Sequence, residues 1–224
     1  MLRAIVFDFD GVIANSEPLH FRGYRDVLAS VGVTLSEDDY YARYLGFDDV
    51  GAFEAIATAA GVAWSAAQIA ELVARKAVRL EELERDVSVL FPGAAAAIRS
   101  SAEAMPIAIA SGARGDEIRR VLRRERLSSC FSAIVAAEDT PVSKPAPDPY
   151  VRAVALLAPR FGGALLPSDC VAIEDSHWGL ESARAAGLHT VAVTNTYPAG
   201  ELIAELTIRS LADFDLTDFR RLCL

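Results

Sequence analysis

The chain has 224 residues, a formal net charge of −9 and a hydrophobic share of 52%, with a mean hydropathy of +0.25. That length builds one large domain or two small ones around a real core, and the acidic balance excludes broad binding to nucleic acid or to an anionic membrane surface, both of which need basic surface. No apolar stretch approaches the roughly 20 residues of a membrane span, and the apolar run at Ala4 to Phe7, closely followed by acids, does not read as a signal peptide, so a cytoplasmic address is expected. Cys130, Cys170 and Cys223 lie far apart without C-x-x-C spacing, which predicts reduced packing residues rather than a zinc site or a disulfide framework.

In chain order, the first signal is Ala4-Ile5-Val6-Phe7 running into Asp8-Phe9-Asp10-Gly11-Val12. A short β-branched run of this kind reads as a buried parallel strand, and in open α/β sheets the carboxyl edge of such strands is where ligands bind. Acids also end many strands merely because loops are solvated, so Asp-x-Asp taken alone is ambiguous. Residues 15–87 then show only helical periodicity, roughly 18–31, 37–45, 50–60 and 65–86. Strand-like runs resume at 106–110, 133–136, 170–173, 189–193 and 206–210, with helical patterns at 93–103, 115–126, 149–157 and 178–186, the last stopped by Gly187. This alternation predicts an α/β fold, a doubly wound parallel sheet with helices on both faces. An all-helical cap is inserted in it: a core of residues 1–14 and 88–224, a cap of 15–87, and hinge-permitting linkers near 14–15 and 87–88.

Three later strand ends carry chemistry of the same kind. Ile107-Ala108-Ile109-Ala110 runs into Ser111-Gly112, a hydroxyl beside a residue that lets backbone approach an anion. Val142-Ser143-Lys144-Pro145-Ala146-Pro147-Asp148 puts a lysine in a proline-stiffened loop, and Val171-Ala172-Ile173 runs into Glu174-Asp175-Ser176. Lysine occurs only at Lys76 and Lys144; the other 20 of the 22 basic residues are arginines. Each residue also has a plain structural reading. Ser111 reads equally as a helix N-cap, Lys144 as an exposed loop lysine, and Glu174 to Ser176 as a capping segment.

Taken in that order, these segments resemble the haloacid dehalogenase superfamily, and specifically its β-phosphoglucomutase-like subgroup, over essentially the whole chain. The carrying residues are Phe7 to Ile13, Ser16-Glu17-Pro18-Leu19-His20, Ser143 to Asp148 and Ile173 to Ser176. The resemblance implies a helical cap over the catalytic edge and a magnesium-dependent phosphoryl-transfer enzyme acting on a small phosphorylated metabolite. No nucleic-acid or membrane partner is expected, and a monomer is slightly favoured.

It further implies roles. Asp8 is the nucleophile that forms an aspartyl phosphate, and Asp10 is the acid and base for leaving group and water. Lys144 and Ser111 offset and bind phosphoryl charge, with backbone N–H groups around Phe9, Asp10 and Gly112 completing the cradle. Magnesium is held by the Asp8 side chain, the Asp10 carbonyl, Asp175 and Glu174, directly or through water; the lack of His and Cys in this set argues against zinc. Arg114 reads as a phosphate contact or as a surface helix-start residue. Glu17, His20 and Lys76 match cap positions as substrate-binding candidates, while Trp64 and the cap aromatics read as core.

Two departures bear on the reaction. At Asn15 the subgroup usually has an acid, and at Asp49 the mutases hold an arginine for the distal phosphate of a bisphosphate. Exchanging a bidentate clamp for a repulsive charge favours hydrolysis over isomerisation, so the expected activity is a phosphatase on a sugar phosphate. The alternatives are a sugar phosphomutase, a phosphonatase forming a Schiff base through Lys76, and a receiver-like phospho-acceptor module, which would have no use for a helical insert. Dehalogenation needs neither Asp10 nor a magnesium cluster.

Overall fold

The computed structural model describes residues 1–45, 47–85 and 87–224; Gly46 in the segment 45–49 and the expected helix end at Asp86 lie outside them. Strand β1 (Ala4–Phe7) is followed by four helices: α1 (Glu17–Ala29), α2 (Glu37–Arg43), α3 (Asp49–Ala60) and α4 (Ala66–Glu84). Then come α5 (Ala94–Ala104), β2 (Ile107–Ala110), α6 (Gly115–Arg124), β3 (Phe131–Val135), α7 (Asp148–Leu157), β4 (Cys170–Glu174), α8 (His177–Ala185), β5 (His189–Val193), β6 (Leu206–Ile208) and α9 (Leu216–Leu222). The chain divides into two compact units, Met1–Asn15 with Val89–Leu224, and Ser16–Ser88.

The first unit is built on one parallel sheet of order β3-β2-β1-β4-β5-β6. Its central strands β1, β2 and β4 are buried along their whole length, and their unbroken apolar sequences are what a strand covered on both faces requires. On one face Ala4, Val6, Ala108, Ala110 and Ala172 pack with Tyr150, Ala153 and Leu157 of α7 and Ala183 of α8. Small residues on the strands leave room for those helices to seat closely. Ile5, Phe7, Ile107 and Ile109, also fully buried, alternate onto the opposite face.

Besides helix ends that shift by a residue or two and strand ends that shift by one, two strand boundaries and one helix differ from the sequence reading. Strand β3 begins at Phe131, two residues before the expected start, and pairs there with Ile107 across a register irregularity. Strand β6 ends at Ile208, short of Ser210. Helix α9 was not anticipated: seven residues are too few for periodicity to register, yet Asp215 caps it, accepting from the Thr217 N–H at 2.7 Å, and Phe219 is fully buried. Cys170 and Cys223 are buried and Cys130 half-buried, all three free thiols.

In the second unit α2, α3 and α4 start on side-chain caps. Ser36 accepts from the Asp39 N–H, Asp48 from the Gly51 N–H, and Ser65 forms a reciprocal capping box with Gln68, each satisfying donors a helix start leaves open. Its core joins Tyr24, Leu28, Tyr40, Phe53, Ile56 and Leu72, with Trp64 packed against it. Phe53 sits at its centre, fully buried and edge-on to Tyr24 at 5.2 Å. Truncating it (Phe53→Ala) should cost about 3–5 kcal/mol. The expected signs are a lower urea midpoint and loss of amide-exchange protection in α1, α3 and α4, with protection in β1, β2 and β4 retained.

Candidate active site

The β1–β4 ladder continues one residue past β1, where the Asp8 N–H donates to the Ile173 carbonyl at 2.9 Å. The chain then turns sharply: the Ile13 and Ala14 N–H groups both donate to the Phe9 carbonyl at 2.8 Å, and Phe9, Val12 and Ile13 plug the turn into the core. Asp8 is thereby buried at the strand end while Asp10 stays half-buried. Gly11 has φ +76°, and a Cβ there would overlap the Asp175 carboxylate, so the turn admits only glycine.

Lys144, expected to be exposed on its structural reading, is instead the hub of the site. Its ammonium lies 2.8 Å from Asp8 Oδ1 and 2.6 Å from Glu174 Oε1. Glu174 Oε1 also accepts from the Tyr150 hydroxyl at 2.6 Å, and Oε2 accepts from the Asp175 N–H at 3.3 Å and the Ser176 hydroxyl at 3.2 Å. Ser176 caps α8, accepting from the Gly179 N–H at 3.1 Å, so the capping reading holds for Ser176 and not for the two acids before it. A Cβ at Gly179 would run into the Glu174 carboxylate. Ser111 is not a helix cap: its hydroxyl accepts from the Ala113 N–H at 3.1 Å, and α6 starts at Gly115 behind Arg114 at the cap position, with the Glu138 carboxylate serving the Gly115 N–H.

Asp8, Asp10, Ser111, Gly112, Lys144, Glu174 and Asp175 all belong to the carboxyl edge of this one sheet. Space beside Gly112 is open where a side chain would begin. The Phe9 ring is buried in the core, which leaves only its backbone to contribute. Arg114 is exposed and pairs with Asp116 at 3.3 Å, as its surface reading had it. Three residues were missed. Tyr150 gives no signal in a helix-like stretch. Asn195 and Thr196 follow β5 directly at the same sheet edge, which was a readable cue: Asn195 Nδ2 donates to the Gly11 carbonyl at 2.7 Å, and the Thr196 hydroxyl donates to Asp175 Oδ2.

Charge is unbalanced here. Burial, reinforced by the Asp8 and Glu174 charges, pushes the Asp175 carboxyl up to about 8, and burial with the Asp8 charge raises Glu174 despite Lys144. Burial opposes the Lys144 ammonium, but Asp8 and Glu174 outweigh it and hold it above the usual range. Burial and Glu174 raise the Tyr150 phenol well above its ordinary value. One oxygen from each of Asp8, Glu174 and Asp175 lies within 4.8 Å of the others, all buried. Asp8 Oδ1, with no hydrogen-bond partner beyond its contact with Lys144, is available to a cation. An all-oxygen, charge-deficient cluster fits a hard divalent ion.

In the helical unit, Lys76 is buried, with its ammonium 2.7 Å from Asp49 Oδ1, 3.0 Å from His20 Nδ1 and 4.6 Å from the Tyr24 ring centre. Asp49 also accepts from the Tyr24 hydroxyl at 2.6 Å, and Glu17 accepts from Tyr40 at 2.6 Å. Burial would raise Asp49, but the Lys76 charge, its hydrogen bond and that of Tyr24 bring it below its ordinary 3.8. Asn15 donates its backbone N–H to the Val89 carbonyl.

Two predictions follow from these contacts. Gly11→Ala forces both a left-handed backbone and the Asp175 overlap, and should destabilise the protein by about 1–3 kcal/mol in chemical denaturation. Because the folded value of Asp49 is depressed, its contribution is present above the ordinary value of 3.8 and is lost as pH falls through the depressed value. The melting-temperature gap between wild type and Asp49→Asn should therefore narrow below about pH 4.

Residues 2–187 match the family model described as haloacid dehalogenase-like hydrolase. The chain is 33% identical to the protein CbbY of Rhodobacter capsulatus over 98% of its own length and 92% of the relative's. It is 29% identical to hexitol phosphatase B of Escherichia coli K12, over 96% of this chain and 95% of the other. A crystal structure of a CbbY variant from Rhodobacter sphaeroides in complex with xylulose-(1,5)bisphosphate superposes with a TM-score of 0.77, at 25% identity, covering 95% of this chain and 96% of that one. The sheet, its acid-bearing edge and the match over residues 2–187 together make this chain a member of the haloacid dehalogenase-like hydrolase family.

Proposed function

We propose that this protein is a magnesium-dependent phosphatase that hydrolyses a small phosphorylated sugar through a covalent intermediate on Asp8. The observation that carries the reading is the Asp8 carboxylate at a strand end, with the Lys144 ammonium at 2.8 Å and two further acids beside it. The relatives add a substrate class, since one of them is named for hexitol phosphates and another was crystallised with a sugar bisphosphate.

Asp8 attacks phosphorus in line and displaces the sugar alkoxide. Lys144 pairs with Asp8 and lies where it can offset charge on the transferring oxygens, and the Ser111 hydroxyl and the amides around Phe9, Asp10 and Gly112 cradle them. Asp10 gives its proton to the departing alkoxide and then takes one from the water that opens the acyl phosphate. Asp8, Asp175 and the Asp10 carbonyl would hold magnesium. Glu174 would act through water, because four donors already occupy its two oxygens. Bound there, the ion supplies the positive charge that three acids and a phosphate dianion lack.

Hydrolysis rather than isomerisation is favoured by the helical unit. The Lys76 cation that a retained second phosphate would use is paired with Asp49. The same pairing disfavours a Schiff base on Lys76, which needs a free amine. His20 and Glu17 stay candidate substrate groups, each already partnered within that unit.

The test is phosphate release from a panel of sugar phosphates, with magnesium and with excess chelator, following the organic product in parallel. Magnesium-dependent free phosphate is expected, and Asp8→Asn should lower it by about a thousandfold or more while the circular dichroism spectrum is kept. An isomerised sugar phosphate with little free phosphate would overturn the reading in favour of a mutase.

A further inference from the structure

Within the sheet-bearing unit, a cavity of about 250 Å³ opens beside Ser111 and Lys144, and Trp178 contributes to its wall. A tryptophan offers roughly 150–250 Å² of surface to bury, yet Trp178 is 57% exposed. It is presented rather than loose. It lies in the first turn of α8, which Ser176 caps, and the neighbouring His177 ring lies 4.7 Å from that of Tyr197.

The rest of the wall is mostly apolar, with Ala137 and Pro149 beside a few hydroxyls, and nearly uncharged. Thr140, Ser143 and Ser176 reach the cavity, and no described residue hydrogen-bonds the Thr140 or Ser143 hydroxyl. The cation of the lining, Lys144, is already committed to Asp8 and Glu174 and so serves one phosphoryl group. An indole face beside free hydroxyls, with no arginine in the lining, does not suit a second phosphate. It suits a neutral group with C–H faces and hydroxyls, the profile of a polyol chain or sugar ring.

We infer that Trp178 is a specificity-determining residue, the platform on which the polyol part of a monophosphorylated substrate rests while its phosphate occupies the Ser111–Lys144 end of the same cavity. This rests on the phosphatase reading for its substrate class, and its test separates the two.

The chain has two tryptophans, so Trp64→Phe leaves Trp178 as the single indole reporter. With magnesium present, a hexitol monophosphate should change its emission saturably and beyond what inorganic phosphate does. In turnover, Trp178→Ala should lower the ratio of kcat/KM for the hexitol phosphate to that for acetyl phosphate by about tenfold, chiefly through KM. Trp178→Phe should restore most of it. Failure of both phosphate compounds to turn over would sink the phosphatase reading, and the fluorescence titration would still decide the role of Trp178. Identical emission changes with hexitol phosphate and inorganic phosphate, or an unmoved specificity ratio in Trp178→Ala, would overturn the inference.

Discussion

The site depends on one buried ammonium. Lys144 stands between Asp8 and Glu174, and without it two carboxylates would be buried near a third with nothing to offset them. Carboxylates in low dielectric are costly unless paired and hydrogen-bonded, and the surroundings meet that condition in steps. Tyr150, Ser176 and the Asp175 amide complete the hydrogen bonding of Glu174, which fixes Glu174, which in turn fixes Lys144 against Asp8. A connected network of this kind holds its members in one arrangement, which the in-line attack proposed for Asp8 would require.

Three buried carboxyl groups against one ammonium still leave the network short of positive charge. Asp175, raised to about 8 by burial and its two acidic neighbours, is the group on which the deficit shows. Thr196 holds one Asp175 oxygen and Asn195 holds the Gly11 carbonyl, so neighbouring residues of one loop fix both sides of the close approach between the Asp8–Gly11 turn and Asp175. Strand β5 thus steadies the site through the loop it delivers, although it supplies none of the acids.

The helical unit solves a similar problem differently. Lys76 is almost as buried as Leu28 and Phe53 of its core, and Asp49, Tyr24 and His20 surround its ammonium. Here the pair is balanced: Asp49 is depressed rather than raised. One unit therefore carries a cluster short of a cation, and the other has its cation internally neutralised. That contrast gives physical content to the Arg-to-Asp difference that the family resemblance implies at Asp49. Where the resemblance implies an arginine clamp, this chain has an aspartate that pairs off the lysine beside it.

By itself the sequence determined the parallel sheet, the acid-bearing ends of β1 and β4, and the places of Ser111 and Lys144. These rest on local patterns, apolar runs ending in polar residues, that survive without knowledge of the neighbours. Short or irregular pieces escaped it: α9 lacks enough residues for a period, and β3 starts at a register irregularity with β2. Only the tertiary structure decided who meets whom. Glu174 meets Tyr150 and Lys144, Lys76 meets Asp49, and Asn195 reaches Gly11 across 184 residues of chain. Hydrogen-bond partners at such separations depend on strand order and helix seating, and those emerge from packing the whole chain rather than from any segment of it.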